Sequence, residues 1–462
     1  MRNIHIYCAM LLTFTVSNFR SIREEQTLNM VASNGFKDHA GHLISAPGNE
    51  HKVLPVAVFY GANGAGKSNL VKAISFALNM IGTGSTRDSK IPQDAFCLGN
   101  PKAVPSKFEF RFVSDGRTFN YGFEYDSERI RAEWLDEIIG QKVNSLYERE
   151  TLATGEVEVD LSKQLADESA KLKAFASIGG RANQLFLTAV MDQLDAPNRG
   201  GTIASVVGWF SRIQVIYPDT RLPGLATHLH HEESLRDFIN EFVRNLRVGP
   251  ESFSTRESAF DGFLDEATES KIIAGLRSRP DSVYRLTTGG GQAVVLELSE
   301  EGRLVRRDVI AKHRTESGDE VEMSMDQQSD GTIRLTELLP SLHTLRKGEG
   351  IFIIDEFDRS LHPLLAWTFI KAFTENAGKR GAQMILTTHE THLLDLELLR
   401  RDEIWFAEKN HSQATEIYPL SEFKQRTDAD VAKRYLQGRF GAIPFLGGIE
   451  RLFPQTLEPV EA

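Results

Sequence analysis

The sequence has little cysteine and no long hydrophobic run. Of its 462 residues only two are cysteines, Cys8 and Cys97, and they stand far apart with no metal-ligand spacing. This argues against a zinc module and for a reducing compartment. No stretch approaches the length of a membrane helix, so we expect no membrane partner. The apolar N-terminus, residues 1–16, lacks the small-residue cleavage site of a signal peptide, and we therefore expect a cytoplasmic protein.

An excess of positive charge is also missing. The chain carries 53 Lys and Arg against 64 Asp and Glu, a formal net charge of -11. A protein-wide attraction for nucleic acid is therefore excluded, and DNA stays possible only through a local basic patch. The remaining composition, 41% hydrophobic and 25% charged, is that of an ordinary globular protein. Its length suggests two or three domain-sized units, or one large α/β core carrying an insertion.

The chain divides into three parts by its residue patterns. Residues 1–138 contain short strand-like runs around one helix, residues 139–280 are polar and helical, and strands return in residues 281–462. The last part opens on a predicted hairpin, Val283–Thr287 and Ala293–Leu298, and continues as strand–helix alternation. These patterns favour a split α/β core with a helical insertion over three independent domains. There is no sustained heptad pattern, so no long coiled coil is expected.

A glycine-rich loop predicts a phosphate site. It follows the apolar run Val56–Tyr60 and precedes a helix pattern, and it has the P-loop spacing G-x-x-x-x-G-K-[ST]. Glycines let backbone N–H groups converge on phosphate oxygens at a helix N-terminus. Lys67 is expected to bind the β- and γ-phosphates of ATP, and the Ser68 hydroxyl to ligate Mg²⁺. The alternative is a glycine-rich turn with an incidental lysine. The predicted nucleotide-binding residues here are Gly61, Ala62, Asn63, Gly64, Ala65, Gly66, Lys67, Ser68 and Asn69.

Two later strand ends predict the other half of this site. The apolar run before Asp355 and Glu356 is a buried-strand pattern, so Asp355 is expected to ligate Mg²⁺ and Glu356 to orient or deprotonate the attacking water. The alternative is that the two carboxylates begin a surface loop. The next strand, residues 383–388, ends at His389, which could sense the γ-phosphate through a hydrogen bond. The alternative for His389 is a structural role.

These segments, in this order, resemble the ABC-type ATPases that include the RecF and SMC heads. The resemblance implies an α/β ABC/RecF-like P-loop head, with a mixed sheet flanked by helices and carrying the helical insertion. It implies that Asn18 and Arg20 lie against the nucleotide, and that Asp358 belongs to a D-loop at a dimer contact. It further implies a signature that caps ATP on a neighbouring protomer of a homo-oligomer, here Ser329, Asp330, Gly331 and Thr332. The alternatives are a turn after an edge strand for Arg20 and a simple helix cap for the signature. The Q-loop glutamine is open among Gln93, Gln141 and Gln184.

Further runs resemble one subgroup, the AAA/ABC-like ATPases of bacterial anti-phage and abortive-infection loci. They are residues 387–390, 401–406 and 435–444. The resemblance implies a slow ATPase that acts as an oligomeric sensor and scaffold. It would hold a toxic effector in trans, a Toprim-type nuclease, and release it on meeting a phage-encoded trigger protein. Two alternatives are a RecF-like DNA-repair ATPase acting on DNA ends and a nearly inactive ATP-bound scaffold.

Overall fold

The computed structural model describes most of the chain. The described residues are 9–45, 51–84, 90–99, 104–218, 224–246, 249–260, 264–278, 283–287, 293–348, 350–424 and 430–443. Their strands are β1 (Met10–Ser17), β2 (Gln26–Asn29), β3 (Ile44–Ser45), β4 (Lys52–Val53), β5 (Val56–Tyr60), β6 (Ser106–Ser114), β7 (Arg117–Tyr125), β8 (Ile130–Ile139), β9 (Lys142–Thr151), β10 (Val157–Leu161), β11 (Ile213–Ile216), β12 (Ser252–Ala259), β13 (Tyr284–Thr287), β14 (Ala293–Leu298), β15 (Leu304–Arg314), β16 (Glu320–Ser324), β17 (Ile351–Ile354), β18 (Gln383–Thr387), β19 (Ile404–Lys409) and β20 (Thr415–Pro419). Their α-helices are α1 (Lys67–Gly82), α2 (Lys163–Glu168), α3 (Ala170–Ala176), α4 (Phe186–Gln193), α5 (Gly201–Phe210), α6 (Leu225–His231), α7 (Glu233–Leu246), α8 (Glu266–Arg277), α9 (Asp330–Lys347), α10 (Pro363–Arg380) and α11 (Val431–Leu436).

A six-stranded sheet forms the centre of the fold. Its strand order is β11-β17-β18-β5-β19-β20, and every neighbouring pair is parallel except the antiparallel edge pair β19–β20. Strands β5, β17 and β18 are buried along their whole length, as expected for a parallel sheet covered on both faces. Alternate residues of β5 belong to two different hydrophobic clusters, one shared with α1 and the other with α9 and α10.

This strand order brings three separate chain segments to one edge of the sheet. The glycine-rich loop follows β5, Asp355 follows β17, and His389 lies just beyond β18. Because carboxyl ends of parallel strands meet at the same edge, all three segments lie together. The edge is the ordinary place for a ligand in an open parallel sheet.

A seven-stranded antiparallel sheet covers the α1 side of the core. Its order is β10-β9-β8-β7-β6-β1-β2. The buried side chain of Gln383 in β18 joins β1 to the central sheet: its Oε1 accepts from the backbone N–H of Leu11 at 2.6 Å, and its Nε2 donates to the carbonyl of Leu11 at 3.0 Å. Strand β1 therefore holds a fixed position beside the central sheet, and with it the Asn18–Ser21 segment that follows.

The segment 139–280 is less helical than predicted. It contains α2 to α8, but β9 and β10 extend the seven-stranded sheet, β11 pairs with β17, and β12 enters a third sheet. The prediction was wrong about β9 and β10 because an antiparallel sheet with one solvent-facing side carries many charged residues. Strand β9, for example, alternates exposed and buried positions over its second half. The division of the chain near 138 and 280 stays a prediction.

The third sheet has the order β12-β15-β14-β13, with β16 also paired to β15. The predicted hairpin is confirmed, since β13 and β14 are antiparallel neighbours. Among the helices of the described ranges, none is long and apolar enough to cross a membrane.

Candidate nucleotide-binding site

The loop between β5 and α1 depends on its glycines. Gly64 and Gly66 have φ angles of 78° and 107°, in the left-handed region that side chains disfavour. A Cβ on Gly66 would also stand 2.0 Å from the Thr415 hydroxyl oxygen, and one on Gly61 would stand 2.3 Å from the carbonyl oxygen of Ala407. Gly66 is the N-cap residue of α1, so the loop ends at a helix N-terminus. The loop thus has the geometry that concentrates backbone N–H groups on an anion.

Lys67 is held inside this loop. Its side chain is buried, and its Nζ donates to the carbonyl oxygens of Gly61 at 2.7 Å and Ala62 at 3.2 Å. Burial lowers the Lys67 pKa to about 8, while nearby carboxylates led by Asp355 act in the opposite direction. Among the described residues, the hydrogen-bond partners of this buried ammonium are carbonyl oxygens, and an anionic ligand would stabilise it.

The loop and the acidic strand end meet through hydroxyl groups. Ser68 Oγ donates to Asp355 Oδ1 at 3.0 Å, joining residues 287 positions apart. Thr387 Oγ1 donates to the same carboxylate oxygen at 2.6 Å and accepts from the backbone N–H of Glu356 at 2.8 Å. Hydroxyl and carboxylate oxygens are the ligands that Mg²⁺ prefers. Ser68 and the buried Asp355 therefore fit the predicted metal site, because their side-chain oxygens are already in contact with each other.

Glu356 and His389 share one cavity with the loop. Together with residues 62–69 they line a space of about 360 Å³. The backbone N–H of His389 donates to Asp358 Oδ1 at 3.2 Å, so the predicted D-loop aspartate supports the end of β18. Burial, and next the charge of Lys67, lower the His389 pKa below its ordinary value. A lowered pKa favours the neutral imidazole, in which one ring nitrogen donates and the other accepts.

Asn18 is not among the residues that line this cavity, and its predicted contact with the nucleotide remains a prediction. Its Nδ2 donates to the carbonyl of Val104 at 2.7 Å, and its Oδ1 accepts from the backbone N–H of Phe96 at 3.2 Å. The side chain is buried, and the left-handed backbone at Asn18, with a φ of 49°, turns it toward these two segments. The Asn18 side chain therefore stabilises the local backbone conformation.

Ser21 is the residue of this segment that reaches the loop. Its Oγ accepts from Asn69 Nδ2 at 2.6 Å and lies 2.8 Å from Thr415 Oγ1. Arg20, one position earlier, pairs through Nη2 with Asp94 Oδ2 at 2.6 Å and is partly exposed. A nucleotide contact by Arg20 remains a prediction.

The signature residues form a separate cleft. Ser329 caps α9 by accepting from the backbone N–H of Thr332 at 3.2 Å, and Asp330 is the first residue of that helix. Ser329, Gly331 and Thr332 line a cavity of about 400 Å³ with Ser360 and its D-loop neighbours. A Cβ on Gly331 would stand 2.7 Å from the Ser360 carbonyl oxygen, so only glycine fits there. None of the four signature residues is among those lining the loop cavity.

Two site residues, Thr387 and Arg334, are not among those predicted from the sequence. Arg334 on α9 is 3% exposed, and its Nη2 donates to the carbonyl oxygens of Asp355 at 2.8 Å and Glu356 at 3.0 Å. It therefore links the signature helix to the backbone of both carboxylates. The sequence signal for Thr387 is its place before His389 at the end of an apolar strand. For Arg334, the sequence signal is its position shortly after Gly331 in the predicted signature helix.

The Q-loop remains unassigned. None of the three candidate glutamines is among the residues that line the loop cavity. Gln184 lies beside Gly84, just beyond the C-terminal end of α1. Since α1 has 16 residues, it is about 24 Å long at about 1.5 Å per residue, which excludes Gln184 from the phosphate end.

The parallel sheet and the glycine loop define a P-loop fold. A family model described as "AAA domain, putative AbiEii toxin, Type IV TA system" matches residues 56–395. The chain belongs to this family. The match begins at the first residue of β5 and extends past His389, so it includes the loop, both carboxylates and the signature.

Solved structures similar to the chain include SMC heads of low sequence identity. The "SMC head domain from Thermotoga maritima" is 14% identical with a TM-score of 0.35, over 88% of this chain and 98% of that one. An Smc head domain with an extended coiled coil, bound to the C-terminal domain of ScpA derived from Pyrococcus furiosus, is 12% identical with a TM-score of 0.38, over 93% and 99% of the two chains. These TM-scores are too low to bear on function. No curated protein matches the chain.

Proposed function

We propose that this chain binds ATP with Mg²⁺ and hydrolyses it at the loop cavity. The observation that carries the proposal is the 3.0 Å hydrogen bond from Ser68 to Asp355, which joins the phosphate loop to an acidic strand end. Lys67 and the loop N–H groups would hold the phosphates. Ser68 and Asp355 would hold Mg²⁺, which neutralises phosphate charge when bound.

The remaining residues support attack by water. Glu356 lies at the cavity wall with its carboxylate partly exposed, placed to accept a proton from a water molecule. The Thr387 hydroxyl accepts a hydrogen bond from the backbone N–H of Glu356 and so fixes the backbone from which that carboxylate extends. His389, whose lowered pKa favours the neutral imidazole, would donate its ring N–H to a phosphate oxygen.

Two substitutions test this proposal. Lys67→Ala is expected to abolish ATP binding in calorimetry, whereas Glu356→Gln is expected to keep binding and lose turnover. Lys72→Ala is the matched control, because Lys72 is on the same helix and does not line the cavity. Circular dichroism verifies folding of each variant. Full ATP affinity in a folded Lys67→Ala variant would refute the site assignment.

Self-association is the second part of the proposal. The signature cleft and the loop cavity are separate in one protomer. A second copy could therefore place its Ser329–Thr332 segment over ATP, where a helix N-terminus suits a γ-phosphate. We expect the Glu356→Gln variant to have a higher molecular mass in solution when ATP and Mg²⁺ are present, measured by light scattering. An unchanged mass would count against ATP-dependent assembly.

The cellular role follows from the family and from sequence resemblance. The family description names a putative AbiEii toxin and a Type IV TA system. In the runs 387–390, 401–406 and 435–444 the sequence also resembles the AriA ATPase of the PARIS anti-phage system. The corresponding role is an oligomeric scaffold that holds a toxic effector, a Toprim-type nuclease, and releases it on meeting a phage protein. Co-purification with a small toxic protein encoded next to this gene tests it. ATP turnover that requires DNA, with no such partner, would instead indicate a DNA-repair ATPase.

A further inference from the structure

A line of side-chain hydrogen bonds supports the phosphate loop from outside. Asn69 Nδ2 donates to Ser21 Oγ at 2.6 Å, Ser21 Oγ lies 2.8 Å from Thr415 Oγ1, and Thr415 Oγ1 donates to the carbonyl oxygen of Ala65 at 2.8 Å. The line joins the segment after β1, the first turn of α1 and the first residue of β20. Thr415 is 1% exposed, so water does not substitute for its bonds.

The direction of the bonds follows from the number of protons. Each hydroxyl has one hydrogen to donate. Thr415 uses its hydrogen on the Ala65 carbonyl, so it must accept from Ser21. Ser21 thereby uses its own hydrogen and accepts from the Asn69 amide. The line is therefore oriented, and it ends on the backbone of the phosphate loop.

Its end point sets the direction of one loop amide. The Ala65 carbonyl and the Gly66 N–H belong to the same planar trans peptide, so they point to opposite sides. Because the carbonyl is held toward Thr415, the Gly66 N–H is held away from it. Gly66 immediately precedes Lys67 and lines the loop cavity. An N–H at that position is one of the donors that surround a phosphate.

We infer that Thr415, acting with Ser21, is a positioning residue for the nucleotide phosphates. It touches the loop but is not among the residues that line the loop cavity, and it fixes the orientation of the Ala65–Gly66 peptide before ATP arrives. The inference rests on the proposed ATP site. It assigns to β20 and to the Asn18–Ser21 segment a shared task at the loop. The two segments are also joined directly, since the backbone N–H of Thr415 donates to the Ser21 carbonyl at 2.7 Å.

Thr415→Val tests the inference, because valine has the same shape without the hydroxyl. We expect the dissociation constant for ATP to rise about tenfold, which is about 1.4 kcal/mol, from the lost donor and the freed peptide. The turnover number at saturating ATP is expected to stay within about twofold, since the carboxylates are untouched. Thr415→Ser keeps the hydroxyl and is expected to restore most of the affinity.

Thr151→Val is the matched control. Thr151 is also buried and donates to a backbone carbonyl, that of Ile130 at 2.6 Å, but it lies in the seven-stranded sheet. It reports the cost of losing such a bond far from the loop, and its ATP affinity is expected to be that of wild type. Ser21→Ala removes the half-buried member of the line and gives a second reading if Thr415→Val is poorly folded; we expect about threefold weaker binding.

The outcomes separate the inference from the proposed function. If wild type binds ATP and both Thr415→Val and Ser21→Ala bind it equally well, the inference is wrong and the ATP site stands. If wild type does not bind ATP, the proposed function fails and the inference with it. A loss of affinity in Thr415→Val that Thr415→Ser does not reverse would also refute it, since the hydroxyl would not be the cause.

Discussion

The pKa of Lys67 leads to a sharp prediction about pH. Burial lowers this pKa to about 8 in the nucleotide-free protein, and a bound triphosphate adds negative charge that raises it again. ATP binding above pH 8 must therefore take up a proton. With a free pKa of about 8, the protonated fraction falls from about nine-tenths at pH 7 to about one-tenth at pH 9. We expect ATP to bind about tenfold more weakly at pH 9 than at pH 7.

The assay is a titration of a non-hydrolysable fluorescent ATP analogue with Mg²⁺ at pH 7, 8 and 9. Lys67→Arg is the control, because a guanidinium keeps its charge throughout this range; its affinity is expected to be lower but independent of pH. A flat profile for wild type would refute the reasoning. An equal decline in Lys67→Arg would do so as well, since another group would then be titrating.

The same pKa has a consequence for stability that needs no nucleotide. Between about pH 8 and pH 10.5, the unfolded chain still holds a proton that folded Lys67 has lost. Because stability rises with pH wherever the unfolded state binds more protons, this group makes the unfolding free energy increase across that window. Below pH 8 both states are protonated, so the contribution of Lys67 stays constant there. The Lys67→Arg variant is expected to lack this increase in urea unfolding experiments.

Thr387 and Arg334 yield two more predictions. Thr387→Val removes the hydroxyl that holds both Asp355 and Glu356, so turnover is expected to fall about tenfold and half-maximal nucleotide binding to need more Mg²⁺; unchanged turnover and Mg²⁺ titration would contradict this. Arg334→Met leaves the carbonyl oxygens of Tyr217, Asp355 and Glu356 without this buried donor and removes the positive charge 4.0 Å from the buried Glu337. We expect a loss of about 3 kcal/mol in urea unfolding, and a loss below about 1 kcal/mol would contradict the role.

The parts of the site made by neighbouring residues could be predicted from the sequence. The loop Gly61–Ser68 needs a strand before it and a helix after it, and all three are contiguous, so one local pattern predicts them together. The acidic end of β17 is a similar local signal. The strands β9 and β10 could not be recognised in this way, because their solvent-facing side makes their composition resemble that of a polar helix.

The residues that support the site depend on strand order, which a single sequence does not contain. Thr387 touches Asp355 because β18 lies between β17 and β5 in the sheet. In the chain, by contrast, β18 follows both of these strands. Thr415 touches the phosphate loop only because β20 begins beside the segment that follows β1, 394 residues away. A threonine carries no sign of its partner, and buried threonines mostly bond to backbone. Once the order of the sheet is known, the partners of each hydroxyl are within reach, Asp355 and Glu356 for Thr387, and Ala65 and Ser21 for Thr415. The function of each hydroxyl follows from these partners.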